Sequence, residues 1–244
     1  MNSPICVTNR KHSASFRIVS LILAIAPLWL MLAAANSSAH AQTTSSPADW
    51  TQFLRDNMQR WNPYETVLNV NNVGGLQPKW SFTLGNPSTN QQSSAAVVNG
   101  VVYIGSLEGN VYALNASTGA KLWSFATGGQ VVSTPAVANG MVYFGSLDHN
   151  VYALNASTGA KLWSFATLGY INSSPALVNG VVYIGSQTAD GKLYALNAST
   201  GAQLWSFDTS SSGPTSAAVV NGIVYIGDGY GTVFALNANT GAQL

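Results

Sequence analysis

The stretch VYALNASTGAKLWSFAT occupies Val111–Thr127 and again Val151–Thr167, letter for letter, forty residues apart. A chain that must satisfy the same letters twice is built from a repeated supersecondary unit, each copy burying a face against the next. The period extends beyond the identical stretch. Asn-Gly pairs stand at 99–100, 139–140, 179–180 and 221–222, and the triplet Trp-Ser-Phe begins at Trp80, Trp123, Trp163 and Trp205. The Asn-Gly spacings are 40, 40 and 42 residues. The two additional residues of the third repeat fall in QTADGK, Gln187–Lys192, a turn, where an insertion disturbs least.

Each repeat predicts four short strands. SAAVV runs into Asn99-Gly100, and Asn-Gly between apolar runs favours a two-residue hairpin because both residues tolerate positive φ. VVYIGS then has no polar interruption, as expected of a strand covered on both faces. The turn LEGN leads into VYALN, ASTGA makes the next turn, and KLWSFAT is the fourth strand. The Asn115 side chain is placed to bond backbone two residues on, and Gly119 supplies a left-handed position. No segment after Trp80 carries a helical period.

Four antiparallel strands per roughly forty residues make one propeller blade. The expected fold is therefore all-β, a β-propeller with about four blades at 90–127, 130–167, 170–209 and 212–244. A four-stranded sheet with two apolar faces buries both only when blades stack radially, with large residues such as the tryptophans in the wedges. Lys79–Gly85 reads as an outer strand without the rest of its blade, and the fourth blade lacks one. Two arrangements are open: strand 79–85 closes a four-blade ring, or the blades are part of a seven- or eight-bladed propeller. A dimer is open to a chain whose four-blade ring does not close.

The N-terminus reads differently. Arg10, Lys11 and Arg17 precede the apolar run Ile18–Ala35, and Ala39 and Ala41 fit a small-x-small cleavage site. This predicts a secretory signal peptide over 1–41, followed by a linker and lead-in at 42–78. The alternative is an uncleaved anchor, since the apolar run is longer than a usual signal core. The expected location is secreted, periplasmic or cell-surface, with no membrane span after signal removal. Cys6 is the only cysteine and lies in the leader, so the exported part has no disulfide framework and no thiol chemistry. Arg55, Arg60, Lys79, Lys121, Lys161 and Lys192 then stand against eight acids, a net charge of about −2. That balance offers no footprint for nucleic acid. Charged residues are 7% of the chain, against about 25% in ordinary soluble domains, so Ser, Thr, Asn, Gln and Gly carry solubility.

ALNASTGAKLW, Ala113–Trp123, resembles the tryptophan-docking motif of the quinoprotein dehydrogenase-like propellers, Ala-x-Asp/Asn-x-x-Thr-Gly-x-x-x-Trp. It recurs at Ala153–Trp163 and Ala195–Trp205 and begins again at Ala235. Trp50, Phe53, Asn62-Pro63, Asn72-Val73, Leu76 and Trp80 are similar to the way these propellers start. The resemblance implies that Trp80, Trp123, Trp163 and Trp205 dock on the adjacent blade, with Gly119, Gly159, Gly201 and Gly241 as the motif glycines. The family contains enzymes that oxidise alcohols with pyrroloquinoline quinone and calcium. Such a site implies an adjacent cysteine pair, an arginine near the quinone, acidic and amide calcium ligands and an aspartate base. This sequence departs on nearly every count: the exported part has no cysteine, no arginine follows Arg60, and no two acids of the repeats sit close together. Calcium takes six to eight oxygens, carboxylates among them. No cofactor is therefore expected; pyrroloquinoline quinone and calcium enter only under the reading of a truncated or diverged dehydrogenase. His149, in the turn LDHN, has no visible partner for general-base work and reads as a turn residue.

Glu108, Asp148 and Asp190 fill the same turn of successive repeats, and Asp228 lies two residues before that position. Two readings compete: turn formation, which alone explains the residue type, and a ring of carboxylates that binds a cation. GDGYG at Gly227–Gly231 has no helix after it to supply phosphate-binding amides, and the Asn-Ala-Ser triplets at 115, 155 and 197 are accounted for by the docking-motif turn. The links TLGNPSTNQQS, TGGQVVST, TLGYINSS and DTSSSGPTS vary while the last two strands barely change. Links and Glu108-type turns emerge on one face. There Gln91, Gln92, Gln130, Tyr170 and Asn172 suit polar or stacking contacts. The expected function is an exported, non-catalytic binding or scaffolding module for a protein or small-molecule ligand. The family offers a precedent in the propeller subunit of the outer-membrane protein assembly machinery, although no lipid-modified cysteine is placed for that role here. The alternatives are the dehydrogenase reading and a structural surface repeat array.

Overall fold

A computed structural model of the protein describes residues 67–85, 92–187, 189–209 and 213–244. The expected leader 1–41, residues 42–66 of the lead-in and Gln91 lie outside the described residues. Within them the period becomes four antiparallel sheets. The first is β1 (Ala96–Val98), β2 (Val101–Gly105), β3 (Asn110–Asn115) and β4 (Lys121–Ala126), hydrogen-bonded in that order. The second is β5 (Ala136–Ala138), β6 (Met141–Gly145), β7 (Asn150–Asn155) and β8 (Lys161–Ala166). The third is β9 (Ala176–Val178), β10 (Val181–Gly185), β11 (Lys192–Asn197) and β12 (Gln203–Asp208). The fourth holds β13 (Ala218–Val220), β14 (Ile223–Gly227) and β15 (Val233–Asn237). These are propeller blades, each sheet local in sequence and packed face to face with the next.

The turn chemistry explains why the strands stop where they do. Asn99 and Gly100 take φ of 50° and 74°, the double left-handed pair of a type I′ hairpin, and Val98 pairs with Val101 across it. Asn139, Asn179 and Asn221 repeat this at φ of 51°, 50° and 51°. Between the third and fourth strands, the Asn115 Oδ1 accepts the N–H groups of Ser117 (2.9 Å) and Thr118 (3.0 Å). Each outer strand then carries a bulge: Lys121 pairs with Leu114 and Trp123 with Ala113, so Leu122 is skipped and turns to solvent. A bulge re-aims the next side chain. Here that side chain is Trp123, and the same shift precedes Trp163 and Trp205.

The indoles mark the blade junctions. The Trp123 ring lies over Gly159 of the next blade, so close that a Cβ there would fall 2.8 Å from it, and its Nε1–H donates to the Ala156 carbonyl at 2.9 Å. Trp163 sits likewise over Gly201 and donates to Ala198 O (2.9 Å), and Trp205 over Gly241 to Ala238 O (3.0 Å). Behind each indole stands a tyrosine at a ring-centroid distance of 5.8–5.9 Å: Tyr103, Tyr143 and Tyr183. Tyr103 and Tyr183 also donate to Ala156 O and Ala238 O, both at 3.2 Å, so one carbonyl anchors two aromatic side chains. Fully buried aliphatics such as Val111, Val142, Leu193 and Val224 fill the remainder of the wedges.

A second seam runs along the inner strands. Paired hydroxyl residues precede each of them: Ser93-Ser94, Ser133-Thr134, Ser173-Ser174 and Thr215-Ser216. The first hydroxyl of each pair accepts an N–H from its own blade, at Gly105, Gly145, Gly185 and Gly227. The second accepts from the preceding blade: Ser94 N–H to Thr134 Oγ1 (3.1 Å), Thr134 N–H to Ser174 Oγ (3.0 Å), Ser174 N–H to Ser216 Oγ (2.9 Å). Each repeat thus hands one hydrogen bond to the next.

Of the two arrangements open to the sequence, the four-blade ring closed by strand 79–85 is not the one seen. The fourth sheet has three strands; among the described residues β15 is met on its outer side only by Gln243, opposite Leu236, and by the Leu244 N–H on Ala235 O. Residues 79–85, expected as its closing strand, form no ladder with β15. They lie instead on the first blade, where Trp80 covers Gly119 and donates to Ala116 O (2.9 Å) and Phe82 meets the Tyr112 ring edge-on. Three successive wedges do not bring β15 round to this segment.

Candidate functional site

The variable links and the turns between second and third strands share one face. The link N–H of Val131 bonds to Ser106 O, and the turn N–H groups of Leu147 and Gln187 bond to the link carbonyls of Gln130 and Tyr170, so these links run over the turns beside them. Gln92, Glu108, Gln130 and Asn172 are exposed on this face, and Tyr170 is half-buried.

The acids behave differently from a cation ring. Asp148 Oδ2 accepts the Tyr152 hydroxyl at 2.7 Å and the Gly128 N–H, from the link entering its blade, at 2.8 Å. Its Oδ1 accepts the Asn150 N–H at 3.1 Å and the Asn150 side-chain amide at 3.2 Å. Burial favours the neutral carboxyl, but these bonds together outweigh it and hold Asp148 below its ordinary value. Burial first, and then the Asp148 bond and charge, push the Tyr152 hydroxyl far up. Asp190 repeats the arrangement one blade on: its Oδ2 accepts the Tyr194 hydroxyl at 2.7 Å and the Leu168 N–H at 3.3 Å, with Lys192 Nζ 3.8 Å from Oδ1. The Glu108 carboxylate lies against Gly85. Asp148 and Asp190 staple the second and third links to the blades that follow them. Asp228 stands where the other blades have Ser106, Ser146 and Ser186, and does a serine's work: its Oδ1 takes the Tyr230 and Thr232 N–H groups at 2.9 and 2.7 Å. His149 takes φ of 73°, and its Nδ1 lies 3.1 Å from Leu168 O.

Two residues of this face were missed by sequence reasoning. Leu168 is 71% exposed, in the place where the preceding link has Gly128, and Tyr230 is 79% exposed, in the place where the first blade has Glu108. Aligning the links by their flanking strands reveals both. A groove of about 260 Å³ on the opposite, Asn-Gly side runs between the third and fourth blades, lined by Val178, Asn179, Tyr183, Val220, Asn221 and Asn239 among others.

The residues present do not fit a quinone–calcium centre. No three of His, Cys, Asp and Glu converge among the described residues, and the Asp148 and Asp190 carboxylates already hold tyrosine hydroxyls and backbone amides.

Blades, hydroxyl seam and docked indoles define a repeat β-propeller of the quinoprotein dehydrogenase-like kind. The sequence profile of the family described as outer membrane protein assembly factor BamB matches residues 65–206 and 145–244, and the chain belongs to this family. A quinoprotein ethanol dehydrogenase of Pseudomonas putida is 32% identical over 127 residues, 44% of this chain and 20% of that protein. The solved quinohemoprotein alcohol dehydrogenase ADHIIG of Pseudomonas putida superposes with a TM-score of 0.73 at 26% identity, over 82% of this chain and 40% of the other. BamB of Moraxella catarrhalis superposes with a TM-score of 0.51 at 26% identity, over 59% of this chain and 48% of the other. The chain therefore spans about a fifth of the length of that curated relative. No helix among the described residues is long and apolar enough to cross a membrane.

Proposed function

We propose that the protein is an exported, non-catalytic propeller that holds a protein partner on its variable-link face. The observation that carries this reading is the division of labour on that face. Asp148 and Asp190 staple two of the links, whereas Gln130, Leu168 and Asn172 on those links and Tyr230 on the turn of the fourth blade stand exposed. A rigid scaffold that presents exposed apolar, aromatic and amide side chains together is suited to protein recognition. The family description, an assembly factor for outer membrane proteins, accords with a scaffold outside the cytoplasm. The test is a variant with Gln130, Leu168, Asn172 and Tyr230 all changed to alanine. It is expected to melt like the wild type and to lose the partners cross-linked to the wild-type face in living cells. Retention of every partner overturns the reading.

The second reading, part of or a divergent relative of a quinone-dependent dehydrogenase, is favoured by the alcohol dehydrogenases among the relatives. Titration with pyrroloquinoline quinone and calcium, followed by tryptophan fluorescence, separates the two. Saturable quenching supports the dehydrogenase, and a flat titration supports the scaffold.

A further inference from the structure

The turns between second and third strands are closed by glycine in three blades: Gly109, Gly191 and Gly231, at φ of 81°, 59° and 88°. Glycine enters this left-handed region freely, and a residue with a side chain does not. The second blade has His149 at the same place, at φ of 73°. Among the described residues the other non-glycine residues with positive φ are Asn99, Asn139, Asn179 and Asn221, whose two-residue hairpins require it. The turn of the second blade does not require a histidine, since glycine serves it in the other blades. A side chain held in that conformation points to a use for the side chain.

The imidazole reaches the next link. Its Nδ1 lies 3.1 Å from Leu168 O, and a carbonyl only accepts, so Nδ1 carries the proton. The Leu168 N–H donates to Asp190 Oδ2, on the turn of the third blade, at 3.3 Å. Just before it, the Thr167 N–H donates to His149 O at 2.8 Å, and the Thr167 hydroxyl is shared between His149 O (3.0 Å) and Gly169 O (2.7 Å). The peptide groups on both sides of Leu168 are thus held by two blades, while its side chain is 71% exposed.

The preceding junction is built alike without these two side chains. Gly109 stands in the place of His149 and Gly128 in the place of Leu168. The Gly128 N–H still meets Asp148 Oδ2, and the Thr127 N–H still meets Gly109 O, at 2.7 Å. The clamp on the link carbonyl and the exposed apolar side chain are missing together. A single exposed leucine on a surface requires no explanation. One whose carbonyl is gripped by a histidine in a left-handed turn does.

We infer that His149 is a positioning residue that clamps the Leu168 carbonyl, so that the Leu168 side chain stands as a fixed anchor for a protein partner with an apolar socket for one leucine. The anchor lies on the binding face proposed above and rests on that reading. A link ordered before the encounter has less freedom to lose on binding. An exposed leucine contributes only when apolar surface covers it, which sets the chemistry of the socket.

The experiment compares His149→Gly and His149→Asn with the wild type. Glycine keeps the turn and removes the clamp. Asparagine tolerates left-handed φ and carries an amide N–H where the ring has Nδ1–H. NMR relaxation of the Leu168 and Gly169 amides in the purified protein is expected to show greater motion with glycine and wild-type order with asparagine. The melting midpoint of His149→Gly is expected to equal or exceed that of the wild type, because strain at position 149 is relieved. In living cells, the yield of partners cross-linked to the wild-type face is expected to fall roughly three- to tenfold with glycine and to recover to within about twofold with asparagine. Leu168→Asn, close in shape but polar, is expected to lower that yield about tenfold or more. Unchanged amide order in His149→Gly overturns the clamp, and a midpoint that falls along with the yield makes His149 a merely structural residue. Full yield with Leu168→Asn overturns the apolar socket. If the four-alanine variant loses the partners and His149→Gly keeps them, the positioning role alone falls; if the four-alanine variant keeps them all, the proposed function falls and the anchor with it.

Discussion

Tyr183 and Tyr225 are the same letter at the same position of consecutive repeats, each opposite an alanine of the neighbouring strand, Ala195 and Ala235. One is sealed beneath the next blade with its hydroxyl on Ala238 O, and the other stands half in solvent. Their strands pair alike, but the third sheet also has β12, whose Trp205 stands 5.8 Å from Tyr183, and the fourth sheet has three strands. In a stacked array the environment of a residue is set by what the next unit supplies, and the repeat's own letters specify only half of a core.

That comparison can be tested directly. Tyr183→Ala empties a filled wedge and is expected to cost about 3–5 kcal/mol, whereas Tyr225→Ala costs less than about 1 kcal/mol. Denaturant titrations followed by tryptophan fluorescence measure both, and equal losses would break the comparison. A pair of glycines separates close packing from backbone conformation. Gly159 and Gly140 share φ of +72°, but only Gly159 has an indole where a Cβ would go. Gly159→Ala is expected to cost about 2–4 kcal/mol, strain plus overpacking, and Gly140→Ala about 1–2 kcal/mol of strain alone.

Raising the pH tests the second-blade wedge. Burial pushes the Tyr143 hydroxyl from 10.0 to about 12, so the folded chain favours the neutral form. The stability this contributes is complete below pH 10 and is lost as the pH rises through about 12, to a total of about 3 kcal/mol. Tyr143→Phe is expected to flatten that alkaline limb in melts between pH 9 and 12. The smallest effect is the loss of one hydroxyl. Tyr183→Phe removes the bond to Ala238 O and is expected to cost about 1 kcal/mol, while Tyr225→Phe changes the midpoint imperceptibly.

The strand plan was legible because its signals are local. Asn99-Gly100 and its three copies dictate hairpins through φ alone, and the Asn115 turn closes on its own side chain. The roles of the acids were not legible, because they depend on contacts across the turn and between blades. Asp148 and Asp190 each find a tyrosine hydroxyl four residues on and an amide about twenty residues back. The spacing Asp-x-x-x-Tyr was on view in both repeats, but only the structure shows the turn that folds one onto the other. The hydroxyl seam was equally visible, as pairs of Ser and Thr at the 40-residue period, yet such pairs also read as ordinary loop. Whether 79–85 closes a ring was left open for a different reason. Local sequence marks that segment as an outer strand, but which sheet it joins depends on rotation summed over three junctions.

The identical stretches at 111–127 and 151–167 bear on how the chain reaches this structure. A folding chain that placed the second copy against β2 would find the same letters to pair with as the first copy provides, so local energy cannot reject the mistake. Rejection falls to order of arrival. During synthesis the first copy emerges forty residues ahead and can take its place before its twin exists. Refolding of the whole chain from denaturant lacks that head start and is the setting in which skipped-repeat species should accumulate. Two different sequences would each have recognised their own sheet; two identical ones depend on timing.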